Sequence, residues 1–324
     1  MTKVILTGAA GFVGYHVAEA LLLRGDRVIG IDNVNDYYDP RLKQARLRRL
    51  IGQGRFAFHR VDVADRDSMH ALFREHGDAE HVIHLAAQAG VRHSMIDPYA
   101  YVRSNVMGHL VVLEGVRLLP SLRHLVYASS SSVYGANRSV PFAETDRVDT
   151  PLSMYAATKR ADELMGHAYA HLYAVPQTGL RFFTVYGPWG RPDMAYYSFA
   201  RAIAAGEPIT VYDGGRLKRD FTYIDDIVAG VIGVLDRPPT GPVPARVLNI
   251  GNHRSETVSR LVQLLEKGLG RWAVVRDAPR PAADAEETFA DIAAIKGVAG
   301  FSPSTPLEAG IGRFVSWFRE YHGG

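Results

Sequence analysis

The sequence predicts an α/β protein in which a doubly wound parallel sheet carries a smaller, mixed α/β substrate-binding lobe. Short apolar runs typical of buried parallel strands alternate with helical patterns over residues 3–183. Polar residues with chemical potential follow these runs directly, and the first strand-to-helix turn is rich in glycine. Because ligands of such sheets bind at the carboxyl ends of the strands, the three observations point to one site at one sheet edge.

The glycine-rich turn predicts the kind of ligand. Lys3–Thr7 is a β-branched apolar run, and Gly8, Gly11 and Gly14 separate it from a helical pattern. Glycine lets the backbone approach a ligand, and a helix N-terminus offers free N–H groups to a diphosphate. The second strand ends in Asp32, where a carboxylate can hold a ribose hydroxyl and repel a 2′-phosphate. This turn predicts a Rossmann-type site for NAD rather than NADP; a plain βα turn is the alternative.

Three further predicted strands also end in small or polar residues. Residues 56–61 lead to Asp62, residues 81–85 to the small residues 86–90, and residues 123–128 to the serine run 129–132. Small residues at the second of these ends would let a dinucleotide lie against the backbone, and Asp62 could contact an adenine edge. A long helix is predicted from Pro98 to Leu119 and contains Asn105.

The helix after the serine run carries Tyr155 and Lys159. Residues four apart lie on one helix face, and an ammonium beside a phenol favours the phenolate. Such a pair can take and return a proton, and the serines could converge on the same substrate carbon. A packed tyrosine, a solvated lysine and a polar loop form the plainer interpretation.

Composition excludes several classes of protein. The 324 residues are 47% apolar and 22% charged, with a net charge of +3, so the basic helix Arg41–Arg49 is expected to be a solvated face, not a nucleic-acid site. The absence of cysteine excludes disulfides and thiolate sites. The 13 histidines show no zinc spacing, and no metal is expected.

The sequence shows no segment that suggests a membrane or a secretory route. No apolar run approaches the ~18 residues of a membrane span, and no signal-like region precedes the first strand. A soluble, cytoplasmic protein is therefore expected.

The second half of the chain differs in composition and in the length of its predicted elements. After residue 183 the elements become shorter and richer in proline and glycine. We expect residues 1–176 to form the NAD-binding domain with the tyrosine–lysine helix. Residues 177–324 should form mainly the substrate lobe, with some return of the chain to the sheet. An apolar stripe in the last helix, Ile311 to Phe318, is expected to be core.

Together, the glycine turn, Asp32, the serine loop and Tyr155-x-x-x-Lys159 resemble the extended short-chain dehydrogenase/reductase family. Within that family the chain is most similar to the nucleotide-sugar epimerases that act at C4 of UDP-glucuronate, over nearly its whole length. Four distinctive stretches carry the resemblance: Asp32–Pro40 (DNVNDYYDP), Leu85–Arg92 (LAAQAGVR), Arg181–Pro192 (RFFTVYGPWGRP) and Arg219–Asp226 (RDFTYIDD).

The resemblance implies interconversion of UDP-glucuronic acid and UDP-galacturonic acid through a transient 4-keto sugar, with enzyme-bound NAD. It implies that Tyr155, Lys159 and Ser130 are catalytic. The implied NAD site also comprises Gly8, Gly11, Phe12, Val13, Gly14, Asp32, Asn33, Asp62, Val63, Leu85, Ala86, Ala87, Gln88 and Asn105. The implied UDP-sugar site comprises Arg92, Ser131, Ser132, Thr184, Arg191, Tyr212 and Arg219. A homodimer is expected, without nucleic-acid or membrane partners.

The carboxylate of the implied substrate makes a specific demand. Oxidation at C4 places it β to a ketone, and it is lost as CO₂ when the breaking bond aligns with the carbonyl π system. Neutral donors at Ser131, Ser132 and Thr184 would hold it out of alignment. A UDP-glucuronate decarboxylase, a UDP-glucose 4-epimerase and an inactive NAD-binding regulator remain the alternatives.

One stretch departs from the family pattern. Where relatives carry a Pro-Gly-Asp turn, residues 280–285 read RPAADA, with alanine in place of a glycine that a positive φ would require. The loop on the uridine side is therefore expected to differ.

Overall fold

The computed structural model describes residues 2–280 and 285–323. The strands are β1 (Lys3–Thr7), β2 (Arg27–Ile31), β3 (Phe56–His59), β4 (His81–His84), β5 (His124–Ser130), β6 (Gln177–Phe182), β7 (Thr184–Tyr186), β8 (Pro208–Tyr212), β9 (Lys218–Arg219), β10 (Phe221–Tyr223), β11 (Ala245–Ile250), β12 (Glu256–Thr257), β13 (Val274–Ala278) and β14 (Glu287–Thr288). The helices are α1 (Phe12–Arg24), α2 (Pro40–Leu50), α3 (Arg66–Glu75), α4 (Pro98–Tyr101), α5 (Gly108–Val116), α6 (Met154–Tyr173), α7 (Ala195–Ala205), α8 (Ile224–Leu235), α9 (Val258–Leu269), α10 (Ala293–Ala299) and α11 (Leu307–His322).

Seven parallel strands form the central sheet in the order β3-β2-β1-β4-β5-β6-β11. The chain runs outward from β1 to β3 and then returns to the other side of β1 with β4. This reversal creates a topological switch point between β1 and β4, whose ends meet where Thr7 pairs with His84. Ligands of doubly wound sheets bind at that crevice, and the predicted fold class is confirmed.

Local signals in the sequence set the ends of the two helices nearest the site. Helix α1 ends at Gly25, whose φ of 99° is left-handed and whose N–H donates to the carbonyls of Leu21 and Leu22. Glycine adopts this conformation without a Cβ penalty. Helix α6 begins after Ser153, whose side chain accepts a hydrogen bond of 3.1 Å from the N–H of Ala156. This N-cap fixes where the first turn of α6 lies.

Both faces of the sheet are covered by helices. On one face α1 packs against α8, and their buried leucine, isoleucine and valine residues join a core that continues into the substrate lobe. On the other face, residues of α3, α5 and α6 form a second core with the strands. Because both faces are covered, the strands read as continuous apolar runs, as the sequence suggested.

The smaller lobe contains short strands that pair in twos or threes, together with helices α7, α9 and α11. Strand β7 pairs with β10, β8 with β13, and β9 with β12 and β14. Helix α11 packs on α9, and the predicted core stripe from Ile311 to Phe318 is buried. Strands β6 and β11, which come from the second half of the chain, belong to the large sheet. The division at residues 176 and 177 stays a prediction.

The long helix predicted before the serine loop has a more complex form. Residues Val102–Met107 are π-helical and join α4 to α5, which ends at Val116 rather than at the predicted Leu119. A π turn accommodates one extra residue per turn, and the periodicity of side chains over so few residues does not reveal it. Within residues 2–280 and 285–323, no helix combines the length and apolar character that crossing a bilayer needs.

Candidate active site

A cleft of about 1150 Å³ runs along the carboxyl ends of the strands and is lined by both halves of the chain. Of the predicted site residues, the cleft is lined by Gly8, Gly11, Phe12, Val13, Gly14, Asp32, Asn33, Val63, Leu85, Ala86, Ala87, Gln88, Arg92, Ser130, Ser131, Ser132, Tyr155, Lys159, Thr184, Arg191, Tyr212 and Arg219. The alternation of strands and helices thus brings together residues from positions 8 to 219. A volume of this size exceeds the range of roughly 300–1,000 Å³ that is usual for small-molecule sites.

The glycine turn has no room for side chains. Gly8 has a φ of 76°, and a Cβ on it would lie 2.7 Å from the Ala86 nitrogen. A Cβ on Gly14 would lie 2.0 Å from the Gly8 carbonyl oxygen. The turn is held by Asp32, whose carboxylate accepts hydrogen bonds from the N–H groups of Ala10 (3.1 Å) and Val34 (2.8 Å). A bare backbone facing the cleft at a helix N-terminus suits a dinucleotide diphosphate.

Two predicted cofactor residues lie beside the cleft, not in its wall. Asn105 is buried in the π-helical segment, where its side chain bonds both backbone groups of Gln88 (2.8 and 3.1 Å) and the Thr158 hydroxyl (2.9 Å). It therefore supports Gln88, which lines the cleft. The Asp62 carboxylate accepts from Arg103 (3.4 Å) and the N–H of Ala64 (2.9 Å).

Helix α6 presents Tyr155 and Lys159 to the cleft from one face. The ammonium of Lys159 is buried and donates to the Ala128 carbonyl (3.0 Å) and to Asp162 (3.1 Å). Burial raises the pKa of Asp162 to about 6, against the opposing effect of the Lys159 ammonium. The lysine is thereby fixed between the end of β5 and its own helix, one turn from Tyr155.

The four serines of the run divide into different environments. Ser129 is buried in the cleft wall and donates to Glu163 (2.6 Å), which forms a bidentate pair with Arg181 (2.8 and 2.9 Å). Burial alone would raise the pKa of Glu163, but the Arg181 guanidinium holds it below its ordinary value. The Ser130 oxygen accepts from the N–H of Ser132 (3.2 Å). Its hydroxyl hydrogen stays available as a donor toward the cleft.

Side chains from both halves of the chain form the other wall. Arg191 pairs with Asp193, which also accepts from the Tyr37 hydroxyl (3.3 Å). Arg92 lies 4.9 Å from the ring centre of Tyr212 and donates to its hydroxyl (3.2 Å).

Two more predicted residues lie on short lobe strands. Thr184 opens β7, and its N–H donates to the Asp220 carbonyl (3.1 Å). Arg219 ends β9, with hydrogen bonds to the carbonyls of Lys218 and Glu286. The departure at Pro281–Asp284 lies outside the described residues.

The expectation of a solvated basic face on α2 is wrong for two of its residues. Lys43 and Arg46 are buried, whereas Arg41 and Arg48 are exposed. Lys43 lines the cleft and donates to Asn35 (2.9 Å to its carbonyl), and burial lowers its pKa. Positions 43, 46 and 50 share a helix face, so the apolar Leu50 was a signal that this face is buried.

Two carboxylates in or beside the cleft were also not predicted from the sequence. Asp162 and Asp193, which pair with Lys159 and Arg191, carry no motif that distinguishes them from surface carboxylates. In the described part of the chain, no group of three or more metal-binding side chains converges.

Fold and cleft define a dinucleotide-dependent enzyme of the extended short-chain dehydrogenase/reductase type. Residues 4–251 match the NAD dependent epimerase/dehydratase family, and the protein belongs to this family.

The chain is also similar to individual proteins of this family. The chain is 48% identical to UDP-glucuronate 4-epimerase 1 of Arabidopsis thaliana, over 99% of this chain and 77% of the relative. It is 43% identical to a probable UDP-glucuronate 4-epimerase of Rhizobium meliloti, over 98% and 96%. The crystal structure of the UDP-glucuronic acid 4-epimerase from Bacillus cereus with UDP-glucuronic acid and NAD superposes with a TM-score of 0.90 at 32% identity, covering 99% of this chain and 100% of that chain.

Proposed function

We propose that the protein is an NAD-dependent UDP-glucuronate 4-epimerase that interconverts UDP-glucuronic acid and UDP-galacturonic acid. The observation that carries the proposal is the meeting of Tyr155, Lys159 and the serine loop in one cleft with the glycine turn. The near full-length similarity to proteins named for this reaction gives the substrate. The alternative of an inactive NAD-binding regulator is disfavoured, because Tyr155, Lys159 and Ser130 are all present at the cleft.

The residues of the turn fit NAD. Gly8, Gly11 and Gly14 leave the backbone bare at the N-terminus of α1. Asp32, which lines the cleft at the end of β2, is proposed to accept from a ribose hydroxyl. When bound, NAD accepts a hydride from C4 of the sugar and returns it to the opposite face. Position and proton transfer are left to the protein.

Tyr155 is the group proposed to move the proton. As a phenolate it takes the proton of the sugar 4-hydroxyl, and as a phenol it returns that proton after the sugar has turned over. Lys159 lies on the same helix face, and its buried ammonium is proposed to stabilise the negative charge that develops on the Tyr155 oxygen during the reaction. Ser130, whose hydroxyl hydrogen is available, is proposed to donate to the 4-oxygen as charge develops there.

The two ends of the substrate have separate candidate contacts. Arg191 and Arg219 are proposed to bind the diphosphate, and Arg92 and Tyr212 to contact the nucleotide. Binding at Arg191 requires the diphosphate to share or displace Asp193.

Neutral donors are proposed to restrain the sugar carboxylate. Ser131, Ser132 and Thr184 line the cleft beside Ser130, and hydroxyl groups can donate to a carboxylate without adding charge. A carboxylate held with its C–C bond away from the carbonyl π system keeps its CO₂ while C4 is oxidised. This restraint separates the proposed epimerase from a decarboxylase.

Product analysis tests the function. Purified protein is incubated with UDP-glucuronic acid, with and without added NAD, and the nucleotide sugars are separated by chromatography. A mixture of UDP-glucuronic and UDP-galacturonic acid without net NADH or CO₂ is expected. UDP-xylose or a 4-keto-pentose would establish a decarboxylase, and turnover of UDP-glucose alone would establish an epimerase of uncharged sugars.

The proposal also includes the oligomeric state of the protein and its location in the cell. A homodimer is supported by exposed apolar side chains on neighbouring helices, among them Tyr99, Val102, Met107, Leu164 and Leu172. The cytoplasmic location stays a prediction from the sequence.

A further inference from the structure

Arg46 is the largest fully buried side chain of the described residues, with a relative exposure of 0%. It lies on α2, in the basic segment Arg41–Arg49 that was expected to be a solvated face. Burying a guanidinium is costly unless its donors are satisfied. The surroundings of Arg46 therefore indicate what this residue stabilises.

The Arg46 guanidinium joins two distant turns of the cleft. It donates to the Ala10 carbonyl in the glycine turn (2.9 Å). On its other side it donates twice to the Trp189 carbonyl (3.0 and 2.6 Å) and once to the Gly190 carbonyl (2.9 Å). A further bond reaches the Tyr38 hydroxyl (2.7 Å). Turns that are separated by more than half of the chain thus share one planar donor group.

Each of these turns carries a group proposed to bind a ligand. The N–H of Ala10 donates to Asp32, the proposed ribose acceptor. Gly190 directly precedes Arg191, the proposed diphosphate ligand of the substrate. A displacement of Arg46 would therefore shift both Ala10, which holds Asp32, and Gly190, which precedes Arg191.

The conformation of the second turn depends on this contact. Trp189 has a φ of 60°, which is unusual for a non-glycine residue and costs free energy. A Cβ on Gly190 would lie 1.7 Å from the Tyr196 hydroxyl, so the turn has no alternative packing with a larger residue. Three hydrogen bonds from Arg46 to the Trp189 and Gly190 carbonyls hold the turn in this form.

We propose that Arg46 is a positioning residue that couples cofactor binding to substrate binding. All four of its acceptor atoms are neutral, three carbonyl oxygens and one phenol oxygen. Diphosphates bound at the two turns supply the negative charge that these neutral acceptors do not provide to the guanidinium. Each bound ligand thereby orders the hydrogen bonds of Arg46 that also hold the turn used by the other ligand. The inference rests on the proposed function, because that function names NAD and a UDP-sugar as the two ligands.

Binding linkage tests the proposal without turnover. NAD is titrated by calorimetry into nucleotide-free protein with and without saturating UDP, and UDP with and without NAD. In the wild type each ligand is expected to raise the affinity of the other by roughly tenfold, by the same factor in both directions. In Arg46→Lys one ammonium cannot serve both turns, and this factor is expected to fall to about one.

Control variants separate coupling from folding. Arg48→Lys changes an exposed arginine on the same helix and should keep the wild-type factor. Thermal unfolding is recorded for each variant. If Arg46→Lys melts at a lower temperature but keeps the factor, or if the wild type shows no coupling, the proposal is overturned. If the wild type binds neither NAD nor UDP, the proposed function itself fails.

Discussion

Hydroxyl groups around the proposed sugar site are proposed to decide whether the 4-keto intermediate is epimerised or decarboxylated. Thr184 and Ser132 line the cleft near Ser130. Both side chains are neutral, so the hydroxyl group is the only group with which either can hold a carboxylate. In the double variant Ser132→Ala/Thr184→Val, the carboxylate loses two donors and is free to align with the C4 ketone. We expect the ratio of decarboxylated to epimerised product to rise by roughly tenfold per lost hydrogen bond.

The measurement is the chromatographic ratio of UDP-pentose to UDP-galacturonic acid, with released CO₂ as a second readout. Ser198→Ala, which removes a hydroxyl elsewhere on the cleft wall, is the matched control and should leave the ratio unchanged. An unaltered ratio in the double variant would show that the carboxylate is restrained by other groups.

At the same scale, the sequence identified residues with a pattern and missed those without one. Tyr155, Lys159 and the glycines stand at fixed spacings and line the cleft. Arg46 has no such spacing, and its role depends on carbonyl groups at positions 10, 189 and 190 that only the folded chain brings together. Every residue type has a backbone carbonyl, so the sequence does not reveal which residues accept these hydrogen bonds.

Among the elements, the turn between β1 and α1 has no room for an added methyl group at Gly8 or Gly14. In Gly14→Ala the new methyl group would lie 2.0 Å from the Gly8 carbonyl oxygen, so the backbone of the turn must shift. We expect the affinity for NAD, measured by calorimetry, to fall by roughly tenfold or more, because the diphosphate depends on the N–H groups of this turn.

The chain supplies a matched glycine in a helix that has room. In α11 a Cβ on Gly312 would meet no atom of the described residues within 4 Å. Gly312→Ala should therefore keep NAD binding and stabilise the protein by about 0.5–1 kcal/mol. A Gly14→Ala protein with wild-type NAD affinity would contradict the rigid-turn interpretation.

The short strands of the lobe are joined by the buried carboxylate of Asp220, between β9 and β10. It accepts from the Thr222 hydroxyl (2.8 Å) and from the N–H groups of Asn252 (2.6 Å) and Ala290 (3.1 Å). Burial raises the pKa of Asp220 to about 6 although these donors oppose the shift. Its contribution to the free energy of unfolding is therefore present below pH 4 and is lost as the pH rises through 6.

Comparison with Asp220→Asn isolates this contribution. The amide cannot accept from all three donors, so the variant should be less stable by about 1–3 kcal/mol. The difference from the wild type should shrink by roughly 1 kcal/mol between pH 5 and 7.5, since the wild type alone loses the protonated form. Denaturant unfolding at several pH values measures it; the exposed Asp67→Asn serves as control. A difference that grows with pH would contradict the assigned direction.

For the whole molecule, the strand order explains why distant residues meet. The return of β6 and β11 to the large sheet sets Thr184 directly beyond the carboxyl end of β6, next to the serine loop after β5. The sequence predicted this sheet because short, largely apolar runs alternate with helical patterns over residues 3–183. It could not predict the packing of the small lobe, whose strands of two or three residues carry too little pattern.

The surface of the molecule leads to a prediction about assembly. On α4, the π-helical segment and α6, Tyr99, Val102, Met107, Leu164 and Leu172 are exposed, and α6 packs against the π-helical segment. Contiguous exposed apolar side chains of this kind mark association surfaces. A second copy that covers the helix carrying Tyr155 would also restrict its motion. We therefore expect a homodimer in solution.

Leu164→Glu tests the dimer, because the side chain is 57% exposed in one chain and a buried charge at an interface is unfavourable. Analytical ultracentrifugation should report twice the mass of one chain for the wild type and one chain for the variant at micromolar concentration. Leu23→Glu is the matched control, since Leu23 is 82% exposed on α1, across the sheet from α6. Dissociation by Leu23→Glu, or a dimer that withstands Leu164→Glu, would place the interface elsewhere. Because α6 holds Tyr155 and Lys159, a monomeric Leu164→Glu protein should also show reduced turnover, which links assembly to the site.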